Sequence, residues 1–323
     1  MPRKALTLAA LLAALTLGAS DGNAQSYPTR QGRIVVGFPA GSSADILGRI
    51  YAQQLSDLLK QQFIVENRPG ASGNLAAEQV ARAEPDGYTL VVASVANTIS
   101  ANVLSNLKYS MTDDLAPVAA MASAPNVLAV SPSLGASNVS GFIKLAKAKP
   151  GEIQYGSPGV GSAPHLAGEL FNMMAGTKLM HIPYQGVPQS LTDLLGGRIP
   201  AVFGTAPTLA GYAKDGRVTL LAVTSAKRTA LLPDVPTLDE AGLKGFDTAI
   251  WYGIFAPKGT PLAVRQILAD ALVKANASPE VGKALFANGA DPLSITLDDL
   301  GAFVRADLAK WKAVVEAAQI QQR

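Results

Sequence analysis

The sequence predicts an α/β fold of about two domains built on largely parallel sheets, and three observations carry that reading. Short β-branched runs alternate with stretches of helical apolar spacing along most of the chain, the mark of βαβ units. The length of 323 residues suits about two domains of roughly 150 residues each. Two loops, Pro39-Ala40-Gly41-Ser42 and Pro158-Gly159-Val160-Gly161-Ser162, each follow a predicted strand and precede a predicted helix, so one device occurs twice.

Arg3 and Lys4 open the chain, Ala5 to Leu17 carry no charge, and Gly22-Asn23-Ala24 offers small residues for cleavage. This apolar run is too short to span a bilayer and reads as a signal peptide over residues 1–24. No other uncharged run is long enough to span one. The protein is therefore expected to be exported. Ile34-Val35-Val36 is the first strand, and Leu47, Ile50, Tyr51, Leu55, Leu58 and Leu59 follow at helical spacing. Phe63-Ile64-Val65 is a strand, Leu75 to Ala83 a helix, and Tyr88 to Ala93 another strand. Val127 to Val130, Ile153 to Tyr155, Ile199 to Phe203 and Val218 to Val223 read as strands. Helices are expected over Val139 to Lys147, over about Pro164 to Met174, and around Leu191 to Leu195 before Gly196-Gly197. Beyond Pro261 the chain is mostly helical, with one stripe at Ile267, Leu268, Ala271 and Leu272. A second runs through Leu300, Phe303, Val304, Leu308, Trp311 and Val315. Thr296 with Asp299 resembles a capping box.

Composition removes several classes. Hydrophobic residues at 48% exclude disorder, and the absence of cysteine excludes a disulfide scaffold and a cysteine zinc site. Lys+Arg number 27 against Asp+Glu 24, and no basic run forms a phosphate-neutralising stripe, which argues against nucleic acid. No Walker loop, H-E-x-x-H or G-x-S-x-G motif is present.

The two loops offer different chemistry. A helix N-terminus presents unpaired N–H groups and about half a positive charge, so it receives carboxylate or phosphate without an arginine. Two such loops on separate lobes would hold an anion from both sides. Each could equally be a plain strand-to-helix turn with a serine N-cap. His165 falls in the first turn after Ser162, where a ring nitrogen could face an anion, whereas His181 suits a structural role. Asp45 either complements its helix dipole or partners Ser42 as a cap, and Trp251 and Tyr252 are core or cleft wall.

Several motifs then appear in order. Phe38-Pro39-Ala40-Gly41, Val65-Glu66-Asn67-Arg68-Pro69-Gly70-Ala71 and Pro85-Asp86-Gly87-Tyr88 lead. His165-Leu166-Ala167-Gly168-Glu169-Leu170-Phe171, Pro233-Asp234-Val235-Pro236-Thr237 and Ala256-Pro257-Lys258-Gly259-Thr260-Pro261 follow. Together they resemble the Bug family, the extracytoplasmic solute receptors of tripartite tricarboxylate transporters, across essentially the whole mature chain. The resemblance implies a type 2 periplasmic-binding-protein fold, two α/β lobes joined by a hinge with the ligand cleft between them. Residues 25–125 and 249–323 would form lobe 1 and residues 126–248 lobe 2. It further implies a monomeric, periplasmic receptor that captures a small carboxylate and delivers it to membrane permease subunits, with no catalysis, metal or cofactor. A receptor serving a sensor kinase and a secreted hydrolase are the alternatives.

The family's pocket positions fall on Phe38, Ala40, Gly41, Ser42, Ser43 and Asp45. They also fall on Ser94 and Asn97, on Ser157, Gly161, Ser162 and His165, on Tyr184 and Gly186, and on Thr205. Backbone N–H and hydroxyl donors of Ala40, Gly41, Ser42 and Ser43 on one lobe, and of Gly161 and Ser162 on the other, are expected to meet the ligand. A dicarboxylate would place one end on each lobe. Ser42 stands where the family has a second glycine, Ile99-Ser100 where it often has histidine, and Gly204 where aspartate is common. Gly204 removes a partner for an ammonium group and favours plain carboxylates over amino acids.

Overall fold

The structure, a computed structural model, describes residues 27–184 and 187–320. The expected signal peptide and Gln185-Gly186 lie outside them. Two sheets organise the chain. In lobe 1, β1 (Gly32–Val36), β2 (Phe63–Asn67), β3 (Thr89–Ser94), β4 (Leu115–Ala124), β10 (Ile250–Pro257) and β11 (Asp291–Pro292) stand in the order β11-β4-β10-β3-β1-β2. In lobe 2, β5 (Asn126–Val130), β6 (Gln154–Ser157), β7 (Met180–Pro183), β8 (Ala201–Thr205) and β9 (Thr219–Val223) stand in the order β7-β6-β8-β5-β9.

The helices, in chain order, are α1 (Ser43–Leu59), α2 (Asn74–Ala81), α3 (Val95–Val103), α4 (Val139–Ala148) and α5 (Ala163–Ala175). Then come α6 (Val187–Leu195), α7 (Ala206–Lys214), α8 (Leu262–Asn276), α9 (Pro279–Ala287) and α10 (Leu297–Ala317). The alternation expected from sequence holds inside each lobe, where β1 pairs parallel with β2 and β3, and β6 with β7 and β8.

The parallel expectation fails at the lobe crossings. β4 passes directly into β5, and β10 enters lobe 1 from lobe 2, so neither strand is delivered by a crossover helix within its own sheet. β10 consequently runs antiparallel to β3 and β4, and β5 antiparallel to β8 and β9. β4 escapes sequence reading because Leu115-Ala116-Pro117-Val118-Ala119-Ala120 is alanine-rich and interrupted by proline, both weak strand signals. The sheet accommodates it with register shifts beside Gly253 and Phe255.

Two local expectations need correction. Ile267 is exposed, while Leu268, Ala271 and Leu272 are buried, so the α8 stripe is narrower than its spacing predicts. Thr296 is the N-cap of α10 but makes no side-chain capping bond. Its backbone instead bridges Ala119 while Ile295 accepts from the Ala120 N–H, and Leu297 turns with a φ of 44°. Sheet pairing has fixed that corner.

α10 ties the halves together. It packs on α3 and β4 of lobe 1 and on α5 of lobe 2, and one apolar core containing Val91, Phe255, Leu166, Phe171 and Trp311 runs through both. Among the described residues no helix is long and apolar enough to cross a membrane.

Candidate functional site

The two glycine-serine loops prove to be built alike. After β1, Gly41 adopts a φ of 81°, and Ser42 caps α1 by accepting the Asp45 N–H at 3.3 Å. The Gly41 N–H donates to Asp45 Oδ2 at 2.9 Å. After β6, Gly161 adopts a φ of 78°, and Ser162 caps α5 by accepting the His165 N–H at 3.3 Å. The Gly161 N–H donates to His165 Nδ1 at 3.1 Å. Each turn closes through the side chain four residues on. The amides of Gly41 and Gly161 are therefore satisfied within their own loops instead of facing a ligand, which corrects the expected donor set. Both readings of Asp45 hold at once: it sits in the first turn of α1, and its backbone N–H meets Ser42.

Asp45 is buried. Arg49 Nε reaches Oδ2 at 3.0 Å and Arg49 Nη2 reaches Oδ1 at 2.9 Å, while Asn67 Nδ2 donates to Oδ1 at 2.8 Å and to the Phe38 carbonyl at 3.1 Å. Burial alone would raise its pKa, but the hydrogen bonds from Arg49, Gly41 and Asn67 outweigh it and hold the carboxyl below its ordinary value. In lobe 2 the equivalent position is a neutral ring. Burial, reinforced by His181, pushes the pKa of His165 down to about 3, and burial pushes that of His181 down to about 4. The rings lie 3.9 Å apart at 31°. Because Nδ1 of His165 accepts, its proton resides on Nε2, 3.8 Å from Glu169 Oε1. Ser157 Oγ contacts His181 Nε2 at 2.6 Å, and Ser162 Oγ donates to the Gly159 carbonyl at 2.7 Å.

A third helix start joins these two. β3 runs straight into α3, and Ser94 caps it by accepting the Ala96 N–H at 3.3 Å while donating its own N–H to Asn97 Oδ1 at 2.9 Å. Asn97 is held from behind by Asn74 and Tyr109. The N-termini of α1, α3 and α5, all serine-capped, converge on a single cavity of about 390 Å³. Gly37 permits this closeness on the lobe 1 side. A Cβ there would collide with the Gly73 backbone, where the first loop crosses the 70–73 turn.

Of the residues expected in the pocket, Phe38, Ser42, Ser43, Ser94, Gly161 and Ser162 line this cavity. Asp45, Asn97, Ser157 and His165 stand behind it as supports. Ala40 and Gly41 lie on the loop without lining it. Tyr184 instead donates to Asp193 at 2.9 Å, and Thr205 meets Thr208 at 2.7 Å at the start of α7. Gly186 lies outside the described residues. The pocket segments 94–98 and 157–165 that the family resemblance implies also bring Val95 and Pro164 to the wall, whereas sequence reasoning missed Ser72 and Ile250. Tyr252 is both core and wall, whereas Trp251 is core, its indole N–H donating to Asp307 at 2.9 Å. Burial pushes the Tyr252 phenol up to about 12, against a smaller opposing effect from the Ser43 hydroxyl.

Among the described residues, no charged side chain lines the cavity. Among the described residues no group of three His, Asp or Glu is placed to hold a metal ion. A larger cavity of about 870 Å³ lies beside the segment returning to β10, ringed by charges that include Lys227, Arg228, Asp247, Asp291 and the Lys310–Asp307 pair.

Residues 47–320 match the family described as "Tripartite tricarboxylate transporter family receptor". The chain belongs to this family. It is 33% identical to protein BugT of Bordetella pertussis over 295 residues, 91% of this chain and 90% of that protein. It is similar in structure to a TctC solute binding protein from Polaromonas solved without ligand, with a TM-score of 0.81 and 29% identity, covering 90% of this chain and 99% of that one. Rpa4515 of R. palustris with adipate gives a TM-score of 0.73 at 35% identity, covering 91% and 99%. Tripartite tricarboxylate receptors are periplasmic solute-binding proteins of two lobes, not enzymes, and relatives solved with ligand hold small carboxylates, adipate in the case of Rpa4515.

Proposed function

We propose that this chain is a periplasmic receptor that captures a small carboxylate in the cavity between α1, α3 and α5 and delivers it to the permease of a tripartite tricarboxylate transporter. The observation that carries this reading is the convergence of three serine-capped helix N-termini on one uncharged cavity. Aligned N–H groups and helix dipoles hold an anion there without a cationic side chain. The N–H groups of Ser43, Ala44, Val95 and Ala163 have no partner among the described residues, so they are free to donate. The site comprises those amides with the hydroxyls of Ser42 and Ser94, supported from behind by Asp45, Asn97, Ser157 and His165. Residues 1–24 direct export, and the mature chain acts as a monomer of two lobes, residues 25–125 with 249–323 and residues 126–248.

Shape supports an open arrangement of those lobes. The chain resembles the ligand-free Polaromonas protein more closely than Rpa4515 with adipate, although it is less identical to it in sequence. Ligand then favours closure because its contacts with α5 tighten as the lobes approach. Calorimetry with a carboxylate panel, followed by analysis of the recovered ligand, tests the reading. Saturable binding with ligand returned intact is expected, and turnover without a partner would defeat it.

A further inference from the structure

Lobe 1 carries a second cavity that shares no lining residue with the one between α1, α3 and α5. It measures about 340 Å³ and lies between the start of β4, the loop from β10 to α8 and the first turns of α10. That loop is the Ala256–Pro261 motif, to which carboxylate capture gives no role. Gly259 turns it at a φ of 89°, and the Pro257 carbonyl accepts from both the N–H and the hydroxyl of Thr260, at 3.2 and 2.8 Å.

Three cations line this cavity, Lys258, Arg265 and Arg305, against one carboxylate, Asp298. Among the described residues every other arginine pairs with a carboxylate, except Arg217, which lies over the Tyr212 ring. Arg265 and Arg305 do neither, and both are here. Arg265 is fixed in place: Nε donates to the Thr260 carbonyl and Nη1 to the Pro117 carbonyl, each at 3.2 Å. Its Nη2 has no partner among the described residues. Arg305 folds back along α10, so that a Cβ at Gly301 would stand 3.4 Å from its Nη1 and 3.5 Å from the Pro117 ring. Both guanidinium groups therefore gather beside Pro117. Like charges brought together without a counter-charge repel, and one carboxylate leaves two positive charges in surplus. A guanidinium with free donors matches the paired oxygens of an oxyanion, and Lys258 adds a point charge on a flexible stem.

We infer that this cavity is a second anion site, taking a small oxyanion of two or more negative charges on Arg265, Arg305 and Lys258, independently of the cleft between the lobes. Calorimetry on the purified protein with inorganic sulfate, inorganic phosphate and citrate tests it, with chloride at matched ionic strength as the monovalent control. At least one of the three should bind saturably; sulfate or phosphate would mark an inorganic ligand, and citrate alone a tricarboxylate. Lys258→Gln with Arg305→Gln removes two exposed, unpaired cations, so the variant should melt close to the parent and bind that anion about 10- to 100-fold more weakly. A charge-matched control, Lys144→Gln with Lys147→Gln on α4 of lobe 2, should bind it as the parent does. No binding beyond that of chloride overturns the inference, as does undiminished affinity in the first variant or an equal loss in both. None of these outcomes bears on carboxylate capture in the cleft, which the carboxylate panel decides separately.

Discussion

Gly41 and Ser42 are adjacent, yet they hold the first loop by different means. Gly41 sits at a φ of 81° and donates its N–H to Asp45. Proline cannot reach that angle and has no N–H, so Gly41→Pro removes the turn itself. Ser42→Ala removes a cap and a free hydroxyl, at about 1 kcal/mol of stability and roughly 10-fold in ligand affinity. Calorimetry beside thermal unfolding should rank the proline variant as far more damaging in both measures. A folded Gly41→Pro protein with undiminished affinity would refute the role given to this loop. Asp45→Ala strands the Gly41 N–H and one face of Arg49, and about 1–3 kcal/mol of stability should be lost, read as a lower denaturant midpoint at unchanged slope.

At the scale of elements, the two loops use the same turn with different acceptors, and this separates their responses to acid. His165 and His181 are neutral in the folded state, with pKa values lowered to about 3 and about 4 from 6.5. The unfolded chain therefore binds more protons as pH falls. Their contribution to stability is fully present above pH 6.5 and declines steadily from there toward pH 4 and 3. Asp45 acts in the same sense over a lower window: its lowered pKa contributes stability that is present above its unfolded value of 3.8 and is lost only below it. Melting temperatures between pH 6.5 and 4.5 should thus fall mainly through the histidines. His181→Phe, which keeps a stacked ring but removes one proton site, should flatten that slope. A slope identical to that of the parent would show that the pair does not govern it.

For the whole molecule, closure is the expected response to ligand. α10 packs on both lobes, and both tryptophans, Trp251 and Trp311, lie in the shared core beside the Asp307–Lys310 pair. Saturating ligand should reduce the radius of gyration in solution scattering, raise the melting temperature, and shift tryptophan emission. A bound ligand that leaves the radius unchanged would rule out hinge closure.

Much of this architecture was legible in the residues themselves because its signals are local. Apolar spacing marked α1, α5 and α10, β-branched runs marked β1 and β5, and the paired Gly-Ser turns marked the starts of α1 and α5. Even the acceptors that close those turns, Asp45 and His165, lie four residues on and could have been read from that spacing. The family resemblance supplied the two lobes. Tertiary structure alone decided that β4 and β10 pair antiparallel, because an alanine-rich strand with a proline declares itself only through its partners. It alone brought Ser72, Ile250 and Tyr252 to the same cavity as the two loops, since these come from chain segments far apart in sequence. It also decided which donors remain free, because an N–H is available to a ligand only when the folded chain places no acceptor of its own within reach.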